Sequence, residues 1–149
     1  MLGIAYDTAV IVVLDTNVVI SALKSASGAS FQLIALIRSG RLRPALSAPL
    51  MFEYEDVACR TGLLPHLSAS DINGFLDWFA SVSNLHKVYF LWRPLLKDPK
   101  DDMVLEAAAS AGADYLVTYN ISDFDRASSI GIRVITPPQL LTLISSALP

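Results

Sequence analysis

The chain has 149 residues, of which 53% are hydrophobic and only 17% are charged. This composition excludes a disordered chain and favours one compact domain that buries a substantial core. The net charge is −3 and the pI is about 5.2, so any nucleic-acid partner has to be held by local rather than overall positive charge.

Cysteine content, hydropathy and the amino-terminal residues indicate where the protein works. The single cysteine, Cys59, rules out an internal disulfide and suits a reducing compartment. No apolar run approaches the ~18 residues of a membrane span, and no basic region of a secretory signal precedes the first apolar run. We therefore expect a cytoplasmic protein. The mean hydropathy of +0.49 indicates that some apolar surface covers an interface, as in a homodimer or higher oligomer.

The first predicted element is a strand that ends at a carboxylate. Five apolar residues, Val10–Leu14, run directly into Asp15. A short apolar run is typical of a buried strand in a parallel sheet, and ligands of α/β proteins bind at the carboxyl ends of such strands. Asp15 is therefore either the cap of the following helix or a member of a site. Asp7 has no apolar strand before it and is not expected to take part.

Helices and strands alternate along the rest of the chain. The predicted elements are a turn or helix start at 21–28, a helix at 30–40, a strand at 43–47, a helix at 49–60, a helix at 68–82, an edge strand or extended passage at 85–91, a helix at 100–112, a strand at 115–117, a loop at 122–125, a strand at 132–135 and a helix at 139–147. Ser30 is the predicted cap of the second of these elements. The alternation predicts an α/β fold in a single domain, residues 1–149, with a central parallel β-sheet flanked by α-helices.

Four acidic positions fall at one edge of such a sheet. Asp15 ends the first strand and Asp123 follows a later one. Asp101 or Asp102 opens a helix, and Glu53 can reach the same cleft from an earlier helix. Each residue alone has an ordinary explanation as a helix cap, a first-turn acid, a turn former or a solvated helix residue. Together, however, these carboxylates would raise one another's pKa values unless a cation neutralised them, and Mg²⁺ or Mn²⁺ prefers such oxygen ligands.

A site of this kind can activate a water molecule and stabilise the attacking and leaving oxygens of a phosphodiester. Neutral polar side chains beside the acidic positions are predicted to orient the carboxylates or bound waters. These side chains are Thr16, Asn17, Thr118 and Asn120. Histidines and cysteines form no cluster in the sequence that would favour a softer metal.

The acidic motifs resemble those of the PIN-domain ribonucleases, and more closely the VapC-like toxins of bacterial and archaeal toxin–antitoxin pairs. The matching segments are, in chain order, 14–18, 53–57, 98–102 and 113–118, the last followed by Asn120, Asp123 and Phe124. The resemblance implies a PIN-like fold that cleaves single-stranded RNA with Mg²⁺ or Mn²⁺ and is held in check by an antitoxin protein.

The resemblance also implies the roles of individual residues. The implied catalytic metal ligands are Asp15, Glu53, Asp101 and Asp123. Asp102 remains an alternative to its neighbour Asp101, which the family pattern favours. Many relatives carry an aspartate where this chain has Asn120, so Asp123 is expected to supply the fourth carboxylate.

Local positive charge is needed to hold the RNA. The predicted substrate-binding residues stand just ahead of the third acidic motif and are Arg93, Lys97 and Lys100. A second basic cluster consists of Arg38, Arg41 and Arg43. All of these cations can equally be ordinary surface charges.

Two other functions stay open on the sequence alone. A phosphatase of the haloacid-dehalogenase type also places a nucleophilic aspartate after its first strand. That chemistry needs a second aspartate where this chain has Asn17, and a later lysine, whereas no lysine follows Lys100. The other alternative is a catalytically degenerate PIN domain that binds RNA or a protein, which Asn120 and the acidic pI favour.

Overall fold

The computed structural model describes residues 9–87 and 96–146. The strands in these ranges are β1 (Val10–Leu14), β2 (Leu42–Leu46), β3 (Asn84–Leu85), β4 (Tyr115–Val117) and β5 (Val134–Ile135). The helices are α1 (Thr16–Lys24), α2 (Ala29–Arg38), α3 (Ala48–Ala58), α4 (Ala69–Ser81), α5 (Pro99–Ala111) and α6 (Pro137–Ser146). The strands form one sheet in the order β3-β2-β1-β4-β5, and every pair is parallel. The predicted α/β fold is confirmed.

Strand β1 lies at the centre of the sheet, between β2 and β4. Its last three residues, Val12–Leu14, are fully buried, as expected of a strand that is covered on both faces. The pairing of β1 with β4 sets Leu14 beside Val117. Since parallel strands end at the same edge, Asp15 and Thr118 leave the sheet side by side.

Helix α1 starts immediately after Asp15, which is its N-cap, and continues to Lys24. The prediction of a turn or helix start at 21–28 is therefore wrong for the first four of these residues. Val18 and Val19 are fully buried against the core. An apolar run that passes from a buried strand into a buried helix has no change of pattern to mark the boundary.

Helices α3 and α4 pack against each other. Ser47 caps α3 by accepting a hydrogen bond from the Leu50 N–H, and a proline stands in the first turn, as predicted. Helix α4 starts with a capping box in which Ser68 and Asp71 satisfy each other's backbone N–H groups. The rings of Tyr54 on α3 and Phe79 on α4 meet edge to face, with centroids 5.8 Å apart. This contact fixes α3, which carries Glu53.

Several predicted boundaries differ from the structure. The N-cap of α2 is Gly28, while Ser30 lies inside the helix with its side chain buried. The loop predicted at 122–125 overlaps a 3₁₀ helix, Ile121–Phe124, and the last strand is shorter than predicted. The edge strand or extended passage predicted at 85–91 overlaps β3 only at Leu85; residues 86 and 87 are not in a strand, and residues 88–91 lie outside the described part of the chain. Among the described residues no single helix meets the length and hydropathy of a membrane span.

Candidate active site

Asp15 stands at the carboxyl end of β1 and is only 8% exposed. One carboxylate oxygen, Oδ1, accepts the Thr16 N–H at 2.8 Å, and Oδ2 accepts the Thr118 hydroxyl at 2.7 Å. Burial raises the pKa of Asp15, the two hydrogen bonds lower it, and the negative charges of Asp123 and Glu53 raise it again. Asp15 is therefore both a helix cap and a buried acid within electrostatic reach of two other carboxylates.

Thr118 connects Asp15 to the segment that carries Asp123. Its buried Oγ1 donates to Asp15 and accepts the Asn120 N–H at 3.0 Å. The Asn120 carbonyl in turn accepts the Asp123 N–H at 3.0 Å, at the start of the 3₁₀ helix Ile121–Phe124. Both Asn120 and Asp123 are exposed. The chain after β4 thus turns so that Asp123 faces solvent while it acts electrostatically on Asp15.

Asp101 and Asp102 have different surroundings in the first turn of α5. Asp101 is partly exposed, and burial followed by the charges of four neighbouring aspartates raises its pKa to about 7. Those aspartates are, in decreasing order of effect, Asp15, Asp98, Asp123 and Asp102. Asp102 is only 2% exposed; its Oδ1 accepts the Leu96 N–H at 3.0 Å, which ties the chain before α5 to the helix. Of the two residues, Asp101 is therefore the one whose raised pKa reflects the charges of both Asp15 and Asp123.

Glu53 approaches from α3, and its side chain is 12% exposed. The Lys100 ammonium lies 4.0 Å from Glu53 Oε2 and is itself 53% exposed, so it is a weak partner for this carboxylate. Asn17, on the first turn of α1, presents a buried Oδ1 that makes no hydrogen bond within the described part of the chain. Glu53 and Asn17 line the same cleft.

Tyr54 is a residue of this region whose role sequence reasoning missed. Its side chain is fully buried. Its hydroxyl donates a hydrogen bond to the Leu14 carbonyl, directly behind Asp15. Burial, with a smaller contribution from Asp15, raises the pKa of the Tyr54 hydroxyl well above its usual range. A tyrosine among aliphatic residues on a buried face is the signal that was available, because a buried hydroxyl needs a partner.

The donor set fits a hard divalent cation. Asp15, Glu53, Asp101 and Asp123 supply carboxylate oxygens, and Asn17 supplies an unpaired amide oxygen. Within residues 9–87 and 96–146, no three acidic, histidine or cysteine side chains already stand close enough together to form a metal cluster. Burial is the largest cause of the raised pKa values of Asp15 and Asp101, and repulsion between the acids raises both further.

An open cleft of about 790 Å³ extends from this centre between α1 and α3. Thr16, Asn17, Glu53 and Lys100 line it at the acidic end, and Lys24, Arg60 and Thr61 line it further out. The volume lies within the range of about 300–1,000 Å³ that is usual for ligand sites. Lys24 and Arg60 were not among the predicted substrate-binding residues, because nothing in the sequence links either of them to an acidic motif.

The predicted basic residues have separate positions. Lys97 and Lys100 are exposed around the start of α5, while Arg93 lies outside the described residues. Arg41 precedes β2, and Arg43 pairs in register with Ile11 near the amino end of β1. Because the strands are parallel, these two arginines lie toward the amino ends of β1 and β2, whereas Asp15 follows the carboxyl end of β1. Arg38 stacks over the Trp78 ring, 5.6 Å from its centroid.

A family model described as "PIN domain" matches residues 11–122, more than half of the chain. The chain belongs to the PIN domain family. The matched region includes Asp15, Glu53 and Asp101 and ends just before Asp123. The predicted family is thereby confirmed, and PIN domains are typically nucleases that use a divalent metal.

One solved structure similar to this PIN domain is the crystal structure of VapBC2 from Rickettsia felis bound to a DNA fragment from their promoter. The similarity covers 85% of this chain and 98% of the matched chain, with a TM-score of 0.59 and 18% sequence identity. At that identity the match shows a shared, VapC-like fold. No curated protein matches the chain with significant sequence similarity.

Proposed function

We propose that this PIN domain is an endoribonuclease that uses Mg²⁺ or Mn²⁺ to hydrolyse phosphodiester bonds of single-stranded RNA. The observation that carries the proposal is the electrostatic contact of Asp15 with Asp123, Glu53 and Asp101 at the carboxyl edge of the sheet. Such a set of acids is costly to hold together unless it binds a cation. The family match and the open cleft beside the acids support the same conclusion.

Each residue has a proposed role. Asp15, Asp101, Asp123 and Glu53 would hold the cation, with Asp102 as an alternative ligand that also anchors the chain before α5. When bound, the cation would activate water for attack and stabilise charge on the phosphate oxygens. Thr118 and the Thr16 N–H orient Asp15, Asn17 offers its free Oδ1 toward ligand or water, and Asn120 helps to set the turn that carries Asp123. Lys97 and Lys100 would contact RNA near the acids, and Arg93 is proposed for the same role.

The likeness to the fold of a VapBC2 structure supports a biological role as the toxin of a cytoplasmic toxin–antitoxin pair, with an antitoxin protein as partner. A homodimer or higher oligomer remains part of this proposal. The family match leaves the phosphatase alternative without support. A catalytically degenerate PIN domain remains the second candidate, because Asn120 places an amide where many relatives have a carboxylate.

The direct test is cleavage of an end-labelled single-stranded RNA by the purified full chain. We expect cleavage with Mg²⁺ or Mn²⁺ and none with excess chelator, and loss of cleavage in Asp15→Asn and Asp101→Asn. Asp77→Asn is the matched control, since Asp77 is an exposed residue of α4 outside the acidic centre. Cleavage that survives chelation or Asp15→Asn would disprove the proposed mechanism. A protein that binds RNA but neither cleaves it nor binds metal would favour the degenerate PIN domain.

A further inference from the structure

The cleft has opposite charges at its two ends. Glu53 lines one end, within electrostatic reach of Asp15 and together with Lys100, and Lys24 and Arg60 line the cleft at the other. Along α1, Thr16 and Lys24 are eight residues apart on one helical face, which at about 1.5 Å per residue separates them by about 12 Å. Along α3, Glu53 is five residues from the last residue of the helix, Ala58, a distance of about 7.5 Å, and Arg60 follows two residues after this end. The two helices thus form the walls of one passage that leads from the acids to a pair of cations.

The two cations are available to a ligand. Lys24 is exposed in the last turn of α1 and makes no ion pair within the described residues. Arg60 lies just beyond α3 with its side chain 52% exposed, and it pairs with Asp56 at 3.3 Å. An exposed ion pair of this kind contributes little to stability, so a phosphate can replace the Asp56 carboxylate at little cost. The planar guanidinium of Arg60 is also suited to bidentate phosphate binding.

The lining between the two ends is largely apolar, with Ser21 as a polar member, and none of the described residues that line the cleft is aromatic. Ile20, Val57 and Leu63 line this part of the cleft. Such a lining gives bases and riboses a surface to lie against but provides no stacking platform of the kind that strengthens single-strand binding. Affinity along the cleft therefore has to come from the backbone phosphates, whose interaction with lysine and arginine depends on salt and is independent of sequence.

We propose that Lys24 and Arg60 bind backbone phosphates of an RNA strand that lies along the cleft between α1 and α3, at a distance from the phosphodiester held by the acidic centre. The inference rests on the proposed ribonuclease function, since that function sets which phosphate lies at the acids. An RNA strand carries a phosphate on every nucleotide. One phosphate can therefore bind a metal cation at the acidic end while others contact Lys24 and Arg60. A small anion could not reach both ends.

The test measures binding of a labelled oligouridylate to the full-length Asp15→Asn protein, in which cleavage is blocked, over a series of KCl concentrations with Mg²⁺ present. For single strands each lost phosphate contact flattens the slope of log affinity against log salt by about 0.7. We therefore expect Lys24→Gln and Arg60→Gln each to reduce the slope by about this amount, and the double variant to reduce it by about 1.4. Both side chains are exposed, so the variants should fold normally.

The matched control is Arg41→Gln/Arg133→Gln, which removes the same net charge. Arg41 and Arg133 precede β2 and β5, at the edge of the sheet away from the acids. We expect this control to keep the parent slope and affinity. An unchanged slope in the Lys24/Arg60 double variant, or an equal loss in the control, would overturn the proposal. Polyglutamate that competed as effectively as RNA of equal charge would also overturn the proposal, because the cleft would then bind any negatively charged polymer.

Cleavage kinetics on the otherwise unaltered protein separate this inference from the proposed function. Lys24 and Arg60 would bind substrate and transition state alike, so their loss should raise KM with little change in kcat. Cleavage with an unchanged KM in the double variant would leave the ribonuclease in place and overturn the role of the two cations. An unaltered protein that never cleaves, but whose RNA binding shows the expected change in slope, would overturn the proposed function and support the phosphate contacts.

Discussion

The Thr118 hydroxyl donates a hydrogen bond to Asp15 Oδ2 across 2.7 Å and so joins the chain segments that follow β1 and β4. The hydroxyl oxygen of Thr118 also accepts the Asn120 N–H, so one buried side chain holds both the central acid and the turn that leads to Asp123. A hydrogen bond to the ionised carboxylate favours that form. Thr118 therefore lowers the pKa of Asp15 against the effect of its burial.

Thr118→Val keeps the shape of this side chain and removes its hydroxyl. We expect the pKa of Asp15 to rise, which would move the acidic limb of the pH–rate profile for RNA cleavage to higher pH. The buried polar groups left without a partner should lower the free energy of unfolding by about 1–3 kcal/mol. Thr118→Ser retains the hydroxyl and should keep the original acidic limb. Equal profiles for the two variants would contradict this role of Thr118.

Tyr54→Phe removes the hydroxyl that donates to the Leu14 carbonyl. Because this carbonyl would be left in a buried position without the tyrosine donor, we expect a loss of about 1–3 kcal/mol in the free energy of unfolding, measured by urea denaturation. Tyr115→Phe is the matched control: Tyr115 is only partly buried and its ring packs under the Arg133 guanidinium. Its change should stay within about 0.5 kcal/mol. Equal losses in both variants would argue against a specific contribution from the Tyr54 hydroxyl.

The sequence was sufficient to predict the parallel sheet and the position of Asp15 at the carboxyl end of its first strand. Short apolar runs ending in polar residues determine both, and β4 was predicted with its observed bounds. The start of α1 was not predictable in the same way, because Val18 and Val19 are as buried as the strand before them. The local pattern of apolar residues indicates which residues are buried, but it does not show where a buried strand ends and a buried helix begins.

Contacts between residues distant in sequence account for what was missed at the site. Serine is a residue type that often caps helices, but the Ser30 hydroxyl instead shares a hydrogen bond of 2.7 Å with the Tyr119 hydroxyl, 89 positions away. Lys24 and Arg60 meet in one cleft only because α1 packs against α3. The two adjacent acids of α5 could not be ranked by spacing, since the difference between them is one of burial.

Metal binding should stabilise the folded protein, and the effect should depend on Asp101. A ligand present at 100 times its Kd adds about 2.7 kcal/mol to the free energy of unfolding. We expect thermal unfolding with saturating Mn²⁺ to show a clear rise in Tm for the unaltered protein and for Asp77→Asn, and little rise for Asp101→Asn. If Asp102→Asn abolished the rise while Asp101→Asn kept it, Asp102 would be the principal ligand of the pair.

The stability of the metal-free protein should depend on pH through Asp101. Its pKa is about 7 in the folded protein, compared with 3.8 for a free aspartate side chain, so the folded state binds more protons between these two pH values. Stability contributed by this proton is complete below the lower value and is lost as the pH rises through the upper one. In excess chelator, Asp101→Asn should therefore match the unaltered protein at low pH and become increasingly more stable than it toward neutral pH.

The measurement is the Tm of both proteins across this pH range, with and without Mn²⁺. Because Asp101 is partly exposed, solvent screening limits the size of the effect, and its sign and pH range are what decide the outcome. Mn²⁺ should reverse the order at neutral pH, since the cation replaces the proton as the partner of the carboxylates. Asp77→Asn should follow the unaltered protein throughout. A difference between Asp101→Asn and the unaltered protein that is constant with pH would show that neither burial nor the neighbouring acids raise the pKa of Asp101.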